Sequence, residues 1–285
     1  MKKILLPTDF SENSMNAIHY AMAYFESEAC TFYILNVQKV SAFVTDDLMA
    51  MQPSETIFNS LVDAAKQKVG RLIREIQDQY HNELHQFESK VDYDNFIDAI
   101  NQLIALEEID LIVMGTKGAS NIAMTFLGSN AARVIQRANC PVLAIPNDYQ
   151  FKSIERIAFP SNYFTDYNPE NLKPLLSMAE RDACTIDVLH VKDGEHLTQF
   201  QENNRAFLDA SFSKLNHSFI ELEQGNLFKK ITNYILEHDI DLLAMMSRKH
   251  SFLERLFVRH PAESFAFDLK VPLLVMENTG NFYIK

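Results

Sequence analysis

The residues best placed to do chemistry form a glycine cluster. The chain carries only seven glycines in 285 residues, and three fall close together: Gly115, Gly118 and Gly128, the last followed by Ser129. Glycine lets the backbone approach a ligand closely and take positive φ. Gly128-Ser129 reads as the opening of a helix over 129–137, whose unpaired first-turn N–H groups and positive dipole end suit a phosphate. Ser129 adds a hydroxyl donor. Lys117, inside the loop, reads either as a phosphate contact or as a solvated lysine. The cluster follows the apolar run Asp110-Leu-Ile-Val-Met114, and a second candidate segment, Pro7-Thr8-Asp9, ends the apolar opening of the chain. Asp9 offers a carboxylate that could accept from ribose hydroxyls or help hold a metal on the phosphates.

The elements that must position these residues occur twice. Ile4–Phe10 matches Ile157–Tyr163, Thr31–Val37 matches Thr185–Val191, Ile109–Met114 matches Ile240–Met245, and Pro141–Ile145 matches Pro272–Met276. Short aliphatic, β-branched runs bounded by turn or charged residues read as buried parallel strands. A fifth strand is expected at 87–91, with its counterpart near 218–222. Helical patterns alternate with the strands. Ser11 can cap a helix that carries Met15, Ile18, Met22 and Phe25 on one face, and 95–106 forms another periodic helix. Alternation of this kind implies βαβ units and a doubly wound sheet, in which ligands bind beyond the carboxyl ends of the strands at the switch point. The fold expected is α/β: two tandem, doubly wound, parallel five-stranded sheets, one over residues 1–148 and one over 149–285. Pro7 and Pro160 lie 153 residues apart but Pro141 and Pro272 only 131, so the first copy is longer by 22 residues. The excess falls between its second and third strands, where Ile57, Leu61, Ala65, Val69, Leu72 and Ile76 mark a long helix. The loop before it, 40–53, holds Asp46, Asp47, Met49 and Met51 and reads as an elongated connection or as a lid or partner surface.

Composition narrows the function. Formal net charge is −12 and the pI about 5.2, which argues against nonspecific binding to nucleic acid or to an anionic membrane. No run of 18 apolar residues suggests a membrane span, and the N-terminus meets Pro7 and Asp9 too soon for a signal peptide. Cys30, Cys140 and Cys184 are isolated and fit neither a disulfide framework nor a zinc pattern, so a reducing cytoplasm is the expected compartment. Cys140, before Pro141, reads as core.

The Gly115, Gly118, Gly128, Ser129 spacing resembles the motif of the universal stress protein family, in which glycine, two residues, glycine, nine residues, glycine and serine or threonine follow a strand. Pro7-Thr-Asp-Phe-Ser11 and Asn139-Cys-Pro-Val142 are similar to that family as well. The resemblance covers nearly the whole chain as two tandem copies. It implies a sheet ordered 3-2-1-4-5 and ATP at the crevice, with magnesium a possible companion of its phosphates. Pro7, Thr8, Asp9 and the backbone of Val37 would serve the adenosine. Met114, Gly115, Gly118, Gly128, Ser129 and Asn130 would line the ribose and phosphates. The family pairs through its last strand, so the two copies could form a pseudo-dimer within one chain, with further homo-oligomers open and the protein partner unknown.

The second copy departs from the pattern. Asn162 stands for Asp9, Ser247 for Gly115, His250 for Gly118, and His260-Pro261 for Gly128-Ser129. Side chains at Ser247 and His250 would fill the space that glycine leaves, and Pro261 lacks an N–H. The expectation is one adenine nucleotide, bound in the first copy only, by a regulatory protein of the stress response and not by an enzyme. A slow ATPase and a nucleotide-independent scaffold are the alternatives. The basic stretch Arg248–His260 reads as a solvated face or a site for another anion, and Phe252, Phe257, Phe265 and Phe267 as core or inter-domain packing.

Overall fold

The structure is a computed structural model that describes residues 1–38, 55–93, 95–116, 128–192, 194, 196–247 and 270–277. The positions Lys117, Gly118, His250, His260, Pro261, the four phenylalanines at 252–267 and the 40–53 loop lie outside the described residues.

Among the described residues ten strands form one sheet. In the first half they are β1 (Lys2–Pro7), β2 (Cys30–Val37), β3 (His85–Asp92), β4 (Leu111–Gly115) and β5 (Val142–Ile145). In the second they are β6 (Arg156–Pro160), β7 (Thr185–Val191), β8 (Asn216–Leu222), β9 (Leu242–Ser247) and β10 (Leu273–Glu277). Their spatial order is β3-β2-β1-β4-β5-β10-β9-β6-β7-β8. Each half thus has the expected 3-2-1-4-5 order. The two five-stranded sheets are not separate, however. β5 and β10 pair antiparallel, Leu273 with Ala144, Leu274 with Leu143 and Val275 with Val142. Every other pairing in the sheet is parallel.

Helices cover both faces. On one lie α1 (Glu12–Tyr24), α2 (Glu55–Tyr80), α5 (Pro169–Asp182) and α6 (Gln199–Ser211), burying Ile18, Val69, Leu172 and Leu208 against Ile4, Leu6, Ile34 and Ile157. On the other lie α3 (Phe96–Glu107), α4 (Ser129–Arg137) and α7 (Leu227–Glu237), burying Ile100, Val134 and Ile231 against Leu5, Leu35 and Leu243. Successive strand residues point to opposite faces, so a strand buried on both sides must be apolar throughout, as β4, β5 and the buried part of β1, Ile4–Pro7, are. The long α2 accounts for much of the excess length of the first copy, with 26 residues against 13 in α6. Among the described residues no helix is long and apolar enough to cross a membrane.

The repeated Ile-Asp pair has a structural use. Asp110 Oδ2 accepts from the Lys3 N–H at 2.8 Å, and Asp241 Oδ2 accepts from those of Glu155 and Arg156 at 2.8 and 3.0 Å. Each aspartate therefore fixes the start of the first strand of its half. Cys30, Cys140 and Cys184 are buried free thiols, and burial pushes those of Cys30 and Cys184 up to about 11 and about 12.

A polar and aromatic seam reinforces the junction on the α1 and α5 face. The Arg181 guanidinium lies 3.9 Å from the ring centroid of Tyr24 and pairs with both Glu28 and Asp182. Tyr24 donates to Asp182 Oδ2 at 3.2 Å, and Tyr20 meets Phe151 edge-on at 5.4 Å. Asn16 Nδ2 holds the connection between the halves through the carbonyls of Pro146 and Tyr149. Burial pushes the Glu28 carboxyl up, but its bonds to Arg181 and Lys2 outweigh this and hold it below its ordinary value.

A carboxylate with a lowered pKa stabilises the fold above its unfolded value, and that contribution is lost as pH falls through the folded one. Glu28→Gln is therefore expected to weaken resistance to urea at neutral pH, with the deficit shrinking as pH drops below the ordinary value of 4.5. Arg181→Ala should cost about 1–3 kcal/mol, since it strips both ion pairs and the stacked cation from a partly buried seam. Urea unfolding of both variants across pH checks this.

Candidate functional site

β1 and β4 are neighbours, and their chains leave the carboxyl edge toward opposite faces: β1 runs into α1 on one, and β4 leads to α4 on the other. A crevice opens where such connections diverge. Pro7-Thr8-Asp9, Val37-Gln38, Gly115-Thr116 and Gly128 all fall on this edge. Thr8 N–H donates to Leu35 O at 2.8 Å, Thr116 N–H to Ile145 O at 2.9 Å, and Gly128 N–H to Thr116 O at 2.6 Å. The last bond brings the start of α4 back to the end of β4.

α4 starts differently from the other helices whose N-caps are described. Side chains of Ser11, Asn95, Asn168, Thr198 and Asn226 cap α1, α3, α5, α6 and α7. The N-cap of α4 is Gly128, at φ −60° and ψ 155°, and it offers no side-chain bond. The first-turn amides of α4 are thus left without the acceptor that a capping side chain supplies. Ser129 and Asn130 in that first turn are exposed.

The remaining expected residues divide into surface and support. Asp9 is exposed at the crevice, and its Oδ1 accepts from the Ser11 N–H and hydroxyl at 3.1 and 2.5 Å. Thr8 is buried. Its hydroxyl is shared with Ser14 at 3.0 Å and accepts from the Phe10 N–H at 3.0 Å, so its side chain holds the turn and is not presented to a ligand. That turn puts Phe10 at φ 61°, and its counterpart Tyr163 at φ 58°. Pro7 is buried at the end of β1, Val37 is half-buried at the end of β2, and Met114 packs into the core beneath the crevice.

Gly115 needs a correction. Glycine there suggested a positive φ, and its φ is not positive. A Cβ there would lie 2.7 Å from the carbonyl oxygen of Asn13. The first turn of α1 sits directly on the end of β4, and that contact by itself calls for glycine. Sequence reasoning could not see this, because it depends on how closely two distant segments approach.

Two site residues were missed. Asn36 is buried and its Nδ2 donates to Thr8 O at 2.7 Å, while Gln38 Nε2 donates to Asn36 Oδ1 at 2.5 Å. This amide chain ties the ends of β2 and β1 together at the carboxyl edge. The repeat held the signal, since His190 stands at the Asn36 position and its Nδ1 meets Ser161 O at 3.0 Å.

The second half has a different edge. Eight residues, Ser161–Asn168, separate β6 from α5, against four, Thr8–Ser11, between β1 and α1. The longer loop buries Tyr163, Thr165 and Tyr167. Tyr163 stacks on His190 at 4.7 Å, and burial pushes its hydroxyl up to about 12. Gln201 and Asn204 on α6 bind the carbonyls of Asn162 and Tyr163. Asn162, at the Asp9 position, keeps only the turn-forming role, accepting from the Phe164 N–H at 3.0 Å. The strand register corrects one expected equivalence: Met246, opposite Met276, stands where Gly115 lies opposite Ile145, and Ser247, opposite Glu277, is one residue beyond it. Among the described residues no group of three or more histidine, cysteine, aspartate or glutamate side chains could hold a metal ion.

Since Gly115 answers to Asn13, Gly115→Ala is expected to lower stability by about 1–3 kcal/mol with no ligand present, the usual cost of forcing an atom into a packed contact. Urea unfolding of the ligand-free protein checks this, and unchanged stability would contradict it.

The comparisons with known proteins agree with this architecture. The model of the universal stress protein family matches residues 1–146. A universal stress protein of Methanocaldococcus jannaschii is 28% identical over 149 residues, covering 50% of this chain and 81% of that protein. The crystal structure of a universal stress protein from Archaeoglobus fulgidus superimposes over 97% of this chain and 98% of its own, with a TM-score of 0.70 at 20% identity. A Pseudomonas aeruginosa protein described as functionally unknown covers 98% of this chain and 93% of its own, with a TM-score of 0.56 at 12% identity. Motif, strand order and the family match converge, and the chain belongs to the universal stress protein family.

Proposed function

We propose that the chain is a nucleotide-binding regulatory protein of the stress response, which holds one adenine nucleotide, ATP, at the carboxyl edge of its first half and does not act as an enzyme. The observation that carries this is the start of α4. Its first-turn amides open onto the switch point, with glycine where α1, α3, α5, α6 and α7 carry a capping side chain. An oxyanion of the nucleotide would take the place of that cap, assisted by the helix dipole and by Ser129. Asp9, exposed at the end of β1, is placed to accept from ribose hydroxyls. If magnesium accompanies the phosphates, its charge would offset theirs, and Asp9 is the protein carboxylate placed to face it.

In this reading residues 1–148 and 149–285 act as two domains, and the second has lost the site. Its longer loop, its bonds to α6 and the exchange of Asp9 for Asn162 support that view. The β5–β10 pairing supports an intramolecular pseudo-dimer. The cytoplasm is the compartment proposed, since three buried free thiols suit a reducing environment.

A nucleotide-independent scaffold is the second reading, and Gly115 favours it, because that glycine is accounted for by packing. One variant separates the two. Ser129→Glu places a carboxylate in the exposed first turn of α4, where it suits the helix dipole but repels phosphate. Stability is expected to hold, while affinity for ATP by calorimetry falls at least about tenfold, the 1.4 kcal/mol or more that a like charge at a phosphate site imposes. Tight ATP binding that survives the change would move the phosphates away from α4, and absence of binding in the unaltered chain would favour the scaffold.

A further inference from the structure

We infer that the outer edge of β3 docks a second copy of this chain, in an antiparallel pairing whose twofold axis passes through Ser89. This is independent of the nucleotide reading. β3 and β8 lie at the two ends of the sheet. The carbonyls of Leu84 and Asp92 accept from the N–H groups of Cys30 and Gln38, at either end of β2. Backbone groups of a strand alternate between its two edges, so the even-numbered residues of β3 bond to β2. The N–H and C=O groups of Phe87, Ser89 and Val91 therefore point outward, and among the described residues no strand takes them. Phe87 and Val91 pack on the α2 face, and Ser89 between them is exposed, so the middle of the edge is open. Glu88 and Lys90 lie on the other face. Both adjoin Tyr33: Glu88 is its neighbour in register, and Lys90 Nζ lies 5.4 Å from its ring centroid.

Charge selects the occupant and the register. The outward groups match only where odd-numbered residues of two copies face each other. Of the registers that keep most of the strand paired, one centred on Glu88 sets Glu88 against Glu88. One centred on Lys90 sets Lys90 against Lys90 and Glu88 against Asp92. One centred on Phe87 sets Glu88 against Gln86 and Lys90 against Leu84. The register centred on Ser89 sets Glu88 against Lys90 and Phe87 against Val91, each twice. Opposite charges across a strand pair stabilise it and like charges destabilise it. Glu88 has no cation of its own chain among the described residues. Lys90 gives one of its three donors to Glu107, at 2.7 Å, and keeps others for Glu88 of the second copy. The edge at β8 has no such demand. His217 bonds to Asp209, Glu221 pairs with Lys192, and Arg205 covers the Phe219 ring at 5.0 Å. Pairing through β3 alone closes at two chains, with the first halves side by side and the second halves outermost.

Sedimentation equilibrium and cross-linking of the full chain test this. The unaltered protein is expected at twice its chain mass of 32.7 kDa. Glu88→Lys sets a lysine against Lys90 of the second copy. Ser89→Pro removes an N–H from the outer edge and none from the ladder to β2. Each is expected to return the protein to the mass of one chain. Ser89→Cys reads the register. Directly opposite residues in a hydrogen-bonded antiparallel pair lie about 5.5 Å apart at Cα, within the reach of a disulfide, and the three native cysteines are buried. Mild oxidation of Ser89→Cys should therefore join two chains. Gln86→Cys, exposed on the same strand, faces Asp92 of the second copy and should not. A monomeric unaltered chain would overturn the inference, as would a dimer that survives either edge variant. Failure of Ser89→Cys to cross-link, or equal cross-linking by Gln86→Cys, would overturn it as well. The cysteine pair and the unaltered chain decide the matter even where the other two variants fold poorly.

Discussion

Three backbone pairs between β5 and β10 make one molecule of two repeats. Each half ends in a strand buried on both faces, and such a strand with a free edge would expose unpaired N–H and C=O groups beside apolar side chains. Pairing the two last strands removes both edges at once. The apolar clusters on either face then run through the junction, with Leu143 and Leu274 in one and Val142 and Val275 in the other. The Arg181 seam and the Asn16 bonds to the connecting segment add directional contacts to this nonpolar join.

Because the last strands carry the join, the two carboxyl edges are free to diverge. In the first half the short turn Thr8–Ser11 keeps α1 close to β4, so close that only glycine fits at Gly115. The crevice between β1 and β4 is left with exposed Asp9 on one side and the glycine-capped start of α4 on the other. In the second half the longer turn is fastened to α6 and stacked on His190. The same chain order thus carries a glycine-capped helix start beside an exposed carboxylate in one half and a tied-down polar and aromatic edge in the other.

Most of the scaffold was legible in the sequence because its signals are local. Runs such as Leu111–Met114 can only be buried strands, the period of Val69, Leu72 and Ile76 reveals α2, and Ser11 caps α1 as its type suggests. The repeat disclosed the pairing of elements between the halves, and the family resemblance implied their strand order. What stayed hidden depends on contacts between distant segments. Nothing near Gly115 in sequence says that Asn13 will lie against it, and nothing near Tyr24 says that Arg181 will cover its ring. The inward turn of the Thr8 hydroxyl to Ser14 was likewise hidden, because it depends on the turn into α1. Asn36 and Gln38 went unnoticed because amides on a strand end carry no pattern until the carbonyl that orients them is in view.

The central claim is asymmetry: one nucleotide per chain, held in the half whose crevice opens onto α4. Native mass spectrometry of the full chain, saturated with ATP, counts nucleotides per chain directly and reports the assembly in the same spectrum. The account predicts a single bound nucleotide for each chain present, whatever the number of chains. Two nucleotides per chain would contradict it, and so would none.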